Sequence, residues 1–126
     1  MTHSTEPRCT NITPIAPVGD LKRSIDFYTN VLGFKVQAEM EGYAYIVRDD
    51  IALRLLQSPE GQAAGEQSCY ICVDNLDALF EQMKPALDKL PKGRVRAPFD
   101  QPYGQREFHV IDEDSMLIFF GEPVAS

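Results

Sequence analysis

The sequence predicts an α+β protein of two tandem βαβββ modules, whose curved sheets form a concave ligand cleft with the helices outside. Three observations lead there. A strand-to-helix junction, Val18-Gly19-Asp20-Leu21, recurs as Val73-Asp74-Asn75-Leu76. Each junction opens an amphipathic helical stretch. Each helix is then followed by short alternating runs that close in a hairpin with an acidic turn. One βαβββ unit is too small to bury a core alone, so the two are expected to join their sheets. The hollow away from the helices is where a ligand belongs.

The first helix is the best-marked element. Asp20 is a natural N-cap, and Gly33 sits where a left-handed residue ends a helix. Leu21, Ile25, Tyr28 and Leu32 fall on one line, flanked by Phe27 and Val31. Lys22, Arg23, Asp26 and Asn30 take the opposite side. Residues 11–18 before it read as a strand, irregular or at an edge because of Pro14 and Pro17. After it come a strand at 35–39 and a hairpin, 43–48 with 51–57, about Asp49-Asp50. A polar loop at 58–67 separates the modules.

The second module opens with a strand at 68–73. A helix follows from Asp74 or Asn75, with Leu76, Phe80, Met83 and Leu87 on one face. Pro85 kinks or shortens this helix and Pro91 ends it. A short strand at 94–97, a loop at 101–105 and a hairpin of 106–112 with 116–121 complete the unit. The domain is therefore single, with modules at 11–57 and 68–121, a disordered tail at 1–10 and a short C-terminal tail at 122–126.

A chain of 126 residues, 44% hydrophobic and 25% charged, is one soluble domain. Its net charge of −7 argues against nucleic acid and admits cationic ligands. No apolar run approaches the ~20 residues of a membrane span, and none is of signal-peptide type, so a cytoplasmic protein is expected. Cys69 and Cys72 have C-x-x-C spacing. On a strand, residues three apart face opposite sides, so buried free thiols are expected rather than a redox or zinc pair.

Alternation assigns the faces. A two-residue turn at Asp49-Asp50 pairs Tyr45 with Arg54 and Tyr43 with Leu56, and places Ala44, Ile46, Leu53 and Leu55 under the helix. Tyr43, Tyr45, Val47, Ala52, Arg54 and Leu56 are left for the hollow. Ser68, Tyr70 and Cys72 face it from the next strand. A three-residue loop at Glu113-Asp114-Ser115 pairs His109 with Phe119 and adds Glu107, His109 and Phe119. The hollow is thus aromatic, with Arg54, Glu107 and His109 as its polar groups. Arg54 either salt-bridges Glu107 or stands free, and His109 is either a packing residue or a base.

These residues resemble the glyoxalase/bleomycin resistance/extradiol dioxygenase superfamily, the vicinal oxygen chelate fold. The likeness is carried by Val18 to Leu21, Ser24-Ile25-Asp26-Phe27-Tyr28, Leu32-Gly33-Phe34 and the turn Asp112-Glu113-Asp114-Ser115. Within it the chain is most similar to bleomycin resistance proteins, through Val47-Arg48-Asp49-Asp50 and Gln101-Pro102-Tyr103-Gly104 leading into Arg106-Glu107-Phe108. Four positions that carry metal ligands in metalloenzymes of the fold correspond to Thr13, Arg54, Ser68 and Phe119, none of them a ligand for a divalent ion. The resemblance therefore implies no metal and no cofactor. It also implies a homodimer, with exchange of the N-terminal strand, and ring-stacking residues at Tyr43, Tyr70 and Tyr103. Glu66 and Gln67 could add polarity at the rim.

The expected function is a metal-free small-molecule-binding protein that sequesters a planar or cationic ligand in an aromatic cleft. Its residues would be Tyr43, Tyr45, Arg54, Tyr70, Tyr103, Glu107, His109 and Phe119. The alternative is an enzyme of the same superfamily with His109 and Glu107 as acid and base.

Overall fold

The computed structural model describes residues 6–59 and 67–124. The chain runs β1 (Ile15–Val18), α1 (Leu21–Asn30), β2 (Lys35–Met40), β3 (Tyr43–Arg48) and β4 (Ile51–Gln57). The second half follows as β5 (Gln67–Cys72), α2 (Leu76–Leu87), β6 (Val95–Asp100), β7 (Gln105–Ile111) and β8 (Met116–Pro123). The strands form two four-stranded mixed sheets in the orders β1-β4-β3-β2 and β5-β8-β7-β6. In each, the first strand lies parallel to the last and the rest are antiparallel. This is the α+β double βαβββ architecture expected from the repeat. No described helix is long and apolar enough to cross a membrane.

Both hairpins fold in the anticipated register. Tyr45 pairs with Arg54 and Ile46 with Leu53, while His109 pairs with Phe119 and Ile111 with Leu117. The aliphatic face goes under the helices: Ala44, Ile46 and Leu55 are fully buried, as are Phe108 and Val110 in the second module. Asp20 caps α1 by accepting from the Arg23 N–H, and Gly33 adopts φ +77 beyond its end.

Four details depart from the sequence reading, each for a local reason. β1 is shorter than residues 11–18. Pro14 has no N–H to give and contributes only its carbonyl, which accepts from the Arg54 N–H at 3.0 Å. α2 stops at Leu87, ahead of Pro91. Pro85 removes a donor from its last turn, and Lys89 and Leu90 then bond back only three residues, to Ala86 and Leu87. β6 continues past Ala97 to Asp100 because the ladder absorbs Pro98 in a register shift between Arg96 and Phe99. Finally, Cys72 is exposed and only Cys69 is partly buried, although both are free and alternate across β5 as expected. Of the tail, residues 1–5 lie outside the described residues, as does 60–66 of the loop, which includes Glu66.

The two sheets are not paired to each other among the described residues. They share one apolar core instead, to which Leu32, Ile46 and Leu55 contribute from the first module and Leu76, Phe108 and Ile118 from the second. Polar contacts from α1 add a latch. The Tyr28 hydroxyl donates to Asp112 Oδ2 at 2.7 Å with both residues buried. Asp114 accepts from the Gly19 N–H at 3.0 Å and from the Ser24 hydroxyl at 3.3 Å. This explains why α1 buries Ser24 with Phe27 and Tyr28, and only part of Leu21 and Ile25. The helix is covered on two sides, by its own sheet and by the turn of the other module. Burial, reinforced by the charge of Asp112, pushes the Tyr28 phenol well above its ordinary value.

Candidate functional site

The eight candidate residues fall into two groups, one on the helix-free face of each sheet. In the first module Tyr43, Tyr45 and Arg54 come together because β3 and β4 place them on one face, with Tyr45 directly across from Arg54 and Tyr43 diagonal to it. Arg54 Nε donates to Thr13 Oγ1 at 2.8 Å, and Nη1 donates to the Tyr43 hydroxyl at 2.5 Å. The guanidinium lies over the Tyr45 ring, 4.8 Å from its centroid. Arg54 and Glu107 do not form the salt bridge that the sequence left open; the hydrogen bonds of each lie within its own module.

In the second module Glu107 is the centre. Its carboxylate has no solvent exposure. It accepts from the Tyr103 hydroxyl at 2.6 Å and from Gln101 Nε2 at 3.0 Å, and His109 Nε2 lies at 2.8 Å. Burial alone would raise its pKa. The hydrogen bonds from Tyr103, His109 and Gln101 outweigh that and hold the carboxyl at about 2, so it is charged at neutral pH. The Tyr103 phenol is raised in turn, chiefly by its bond to Glu107.

Around this charge the rings are layered. Tyr70 stacks on Phe119 at 5.7 Å, His109 tilts against Phe119 at 4.4 Å, and Phe99 meets His109 edge-on at 5.2 Å. The Tyr70 hydroxyl donates to Gln105 Oε1 at 3.2 Å. Gly121 makes this possible. A Cβ there would overlap the Tyr70 oxygen, so only glycine lets the phenol lie across β8. Gln101, Phe99 and Gly121 were missed from the sequence. Gln101 and Phe99 lie beyond a loop and a bulge that strand alternation cannot see through. Gly121, directly across from Glu107, gave only the weak signal of a glycine inside a strand.

One residue of each group, Tyr45 and Tyr70, lines a cavity of about 550 Å³ between the modules. Tyr45 lines it from the first sheet, Tyr70 and Cys72 from the second, and Thr13 and Pro14 from the segment before β1. Tyr43, Arg54, Tyr103, Glu107, His109 and Phe119 stand outside its wall. Next to it, burial pushes the Cys69 thiol up to about 11, with Asp112 adding to the effect, so it is protonated at neutral pH.

Thr13, Arg54, Ser68 and Phe119 are the positions at which the resemblance implies ligands in metalloenzymes. The side chains present do not fit a divalent ion. Thr13 already accepts a hydrogen bond from Arg54, whose fixed positive charge repels a cation, and Phe119 has no donor atom.

The chain matches known proteins over nearly its whole length. Residues 10–120 fit the model of the Glyoxalase/Bleomycin resistance protein/Dioxygenase superfamily. A bleomycin resistance protein of Geobacillus stearothermophilus is 32% identical over 130 residues, covering 90% of this chain and 96% of that protein. Among solved structures, a bleomycin resistance determinant encoded on the transposon Tn5 superposes with a TM-score of 0.78 at 24% identity, covering 91% of this chain and 98% of that one. A bleomycin-binding protein complexed with bleomycin gives 0.76, also at 24% identity, covering 90% and 98%. With the repeat, the two four-stranded sheets and these matches together, the chain belongs to the glyoxalase/bleomycin resistance protein/dioxygenase superfamily.

Proposed function

We propose that this protein sequesters a planar or cationic small molecule, bleomycin-like in its aromatic character, in a metal-free aromatic cleft. The observation that carries the reading is the uncovered aromatic surface on the second module. Tyr70 is 43% exposed although stacked on Phe119, and Tyr103 is 61% exposed although its hydroxyl is fixed by Glu107. Rings held rigid and left open to solvent are a stacking platform whose ordering cost is already met. Capture needs affinity only, and no nucleophile is required. Acid–base work by Glu107 is disfavoured, because the carboxylate has no solvent exposure and its oxygens are already committed to Tyr103, Gln101 and His109.

The protein acts as a cytoplasmic homodimer in this reading. Support comes from Ile12 and Ile15 in and before β1, which are 92% and 54% exposed, and from the division of the candidate residues between two separate faces. Exchange of the N-terminal strand would cover those side chains.

Calorimetric titration with metal-free and copper-loaded bleomycin tests the drug, and Tyr70→Ala tests the cleft. The variant is expected to lose about ten-fold in affinity for a stacking ligand. No heat from the wild-type protein at submillimolar drug removes bleomycin. Unchanged affinity in Tyr70→Ala removes the aromatic platform.

A further inference from the structure

We propose that Arg54 makes the first-module side of the hollow an oxyanion site, which selects planar ligands bearing a carboxylate. The inference rests on the hollow being the ligand site and narrows the charge of what enters it. A guanidinium carries five N–H donors and keeps its charge at every accessible pH. In Arg54 only Nε and Nη1 are engaged, and both bond to neutral hydroxyls, those of Thr13 and Tyr43. Nη2 has no hydrogen-bond partner among the described residues.

No carboxylate lies within ion-pair distance of Arg54 among the described residues. The chain has 19 acidic residues against 12 basic ones, so counter-ions are not scarce. Arg23, Arg48 and Arg106 each find one or two. Arg54 is half-buried and has none.

Three neighbours hold the group still. The two hydroxyls anchor Nε and Nη1, and the Tyr45 ring lies 4.8 Å from Cζ. What remains is Nη2, whose two N–H donors can reach the oxygens of a planar carboxylate. Thr13 and Tyr45, which touch the guanidinium, both line the cavity shared with Tyr70. A flat ring system resting against Tyr45 or Tyr70 thus has a fixed cation at its margin. Glu107, the buried charge on the second module's face, has its oxygens taken by its own module and does not compete for that group.

The test titrates the full chain by calorimetry with naphthalene-2-carboxylate, naphthalene-2-carboxamide and 2-naphthylmethylammonium. These share one ring system and differ in charge. In the wild-type protein the carboxylate is expected to bind about ten-fold more tightly than the carboxamide, the scale of one charge-assisted hydrogen bond. Arg54→Gln should abolish that preference, bringing acid and amide to equal affinity, and Arg54→Lys should restore part of it. Equal binding of acid and amide, tighter binding of the ammonium, or a preference that survives Arg54→Gln overturns the inference and leaves the aromatic hollow standing. Failure of all three probes at millimolar concentration overturns both. Should Arg54→Gln not fold, the wild-type comparison of acid with amide decides alone.

Discussion

The two modules share an element order and a register, yet they hold their helices and turns differently. In the first, three side chains serve the start of α1: Gln57 accepts from the Leu21 N–H at 2.8 Å, Asp20 from Arg23 at 3.1 Å and Asp114 from Gly19 at 3.0 Å. In the second, Glu122 alone accepts from Asn75 at 3.1 Å and Leu76 at 3.0 Å, while the Asn75 side chain makes no cap bond. The hairpin turns differ more. Asp112 and Asp114 point inward and clamp α1, whereas the Asp49 side chain is 86% exposed and meets only Arg48, at 3.5 Å. Where the first module's turn faces the start of α2, the structure has a cavity of about 490 Å³ lined by Asp49, Asp50, Asp74 and Asn75. The repeat conserves the scaffold, and the polar residues assign each junction its own task. One junction is bonded shut; the other is open.

The largest effect should come from breaking the bonded junction. Asp112 is buried and accepts from the Tyr28 hydroxyl and from the N–H groups of Asp114 and Met116. Asp112→Ala leaves a buried phenol and two backbone donors without partners, and should cost about 3–5 kcal/mol. Asp49→Asn, in the corresponding turn, keeps a residue that tolerates the left-handed φ of +49 and should change stability by less than about 0.5 kcal/mol. Urea unfolding of both variants measures the difference. Equal losses would mean that the junctions carry similar weight after all.

A second contrast lies in the hollow, where the first module carries the Arg54 guanidinium and the second a carboxylate held well below its ordinary pKa. Glu107 has a folded-state pKa of about 2 against an ordinary 4.5. A depressed carboxyl contributes stability above its unfolded pKa and loses it as pH falls through the folded one. The wild-type urea midpoint should therefore drop between pH 4.5 and 2, beyond the background of the other carboxylates. Glu107→Gln should flatten that added slope and cost about 2 kcal/mol at neutral pH, because an amide N–H must then face the Gln101 or Tyr103 donor. Arg54→Gln should leave the slope as it is. A slope that persists in Glu107→Gln would assign it to other carboxylates.

Most of the fold was legible because local signals agree with tertiary ones. Asp20 and Gly33 mark α1, and alternation in two short hairpins fixes which side chains go under the helices. What was not legible depends on contacts between modules. Nothing local marks Ser24 as buried, since it is Asp114, far along the chain, that covers it. The idea of joined sheets fails for the same reason: a shared core and one turn hold the modules, and neither has a periodic signature. In the site, strand parity placed Tyr43, Tyr45, Arg54, Glu107, His109 and Phe119 on helix-free faces. Parity does not report pairing. Whether Arg54 would meet Glu107 or Thr13 and Tyr43 depended on the separation of two sheets.

The smallest effects should appear at the helix starts and would sharpen the comparison there. Glu122 is the sole side-chain acceptor for the first N–H groups of α2 among the described residues, and its charge also complements the positive end of the helix. Glu122→Ala should cost about 1–2 kcal/mol. α1 is over-determined by comparison. Asp20→Ala removes the bond to Arg23 while Gln57 and Asp114 keep theirs, so the loss should stay near 0.5 kcal/mol. Amide hydrogen exchange at Leu76 and Arg23 locates the effect, with protection falling at Leu76 far more than global stability does. If Asp20→Ala proves the more damaging, the three acceptors at α1 act as one cooperative unit, and the first module is the less tolerant of the two.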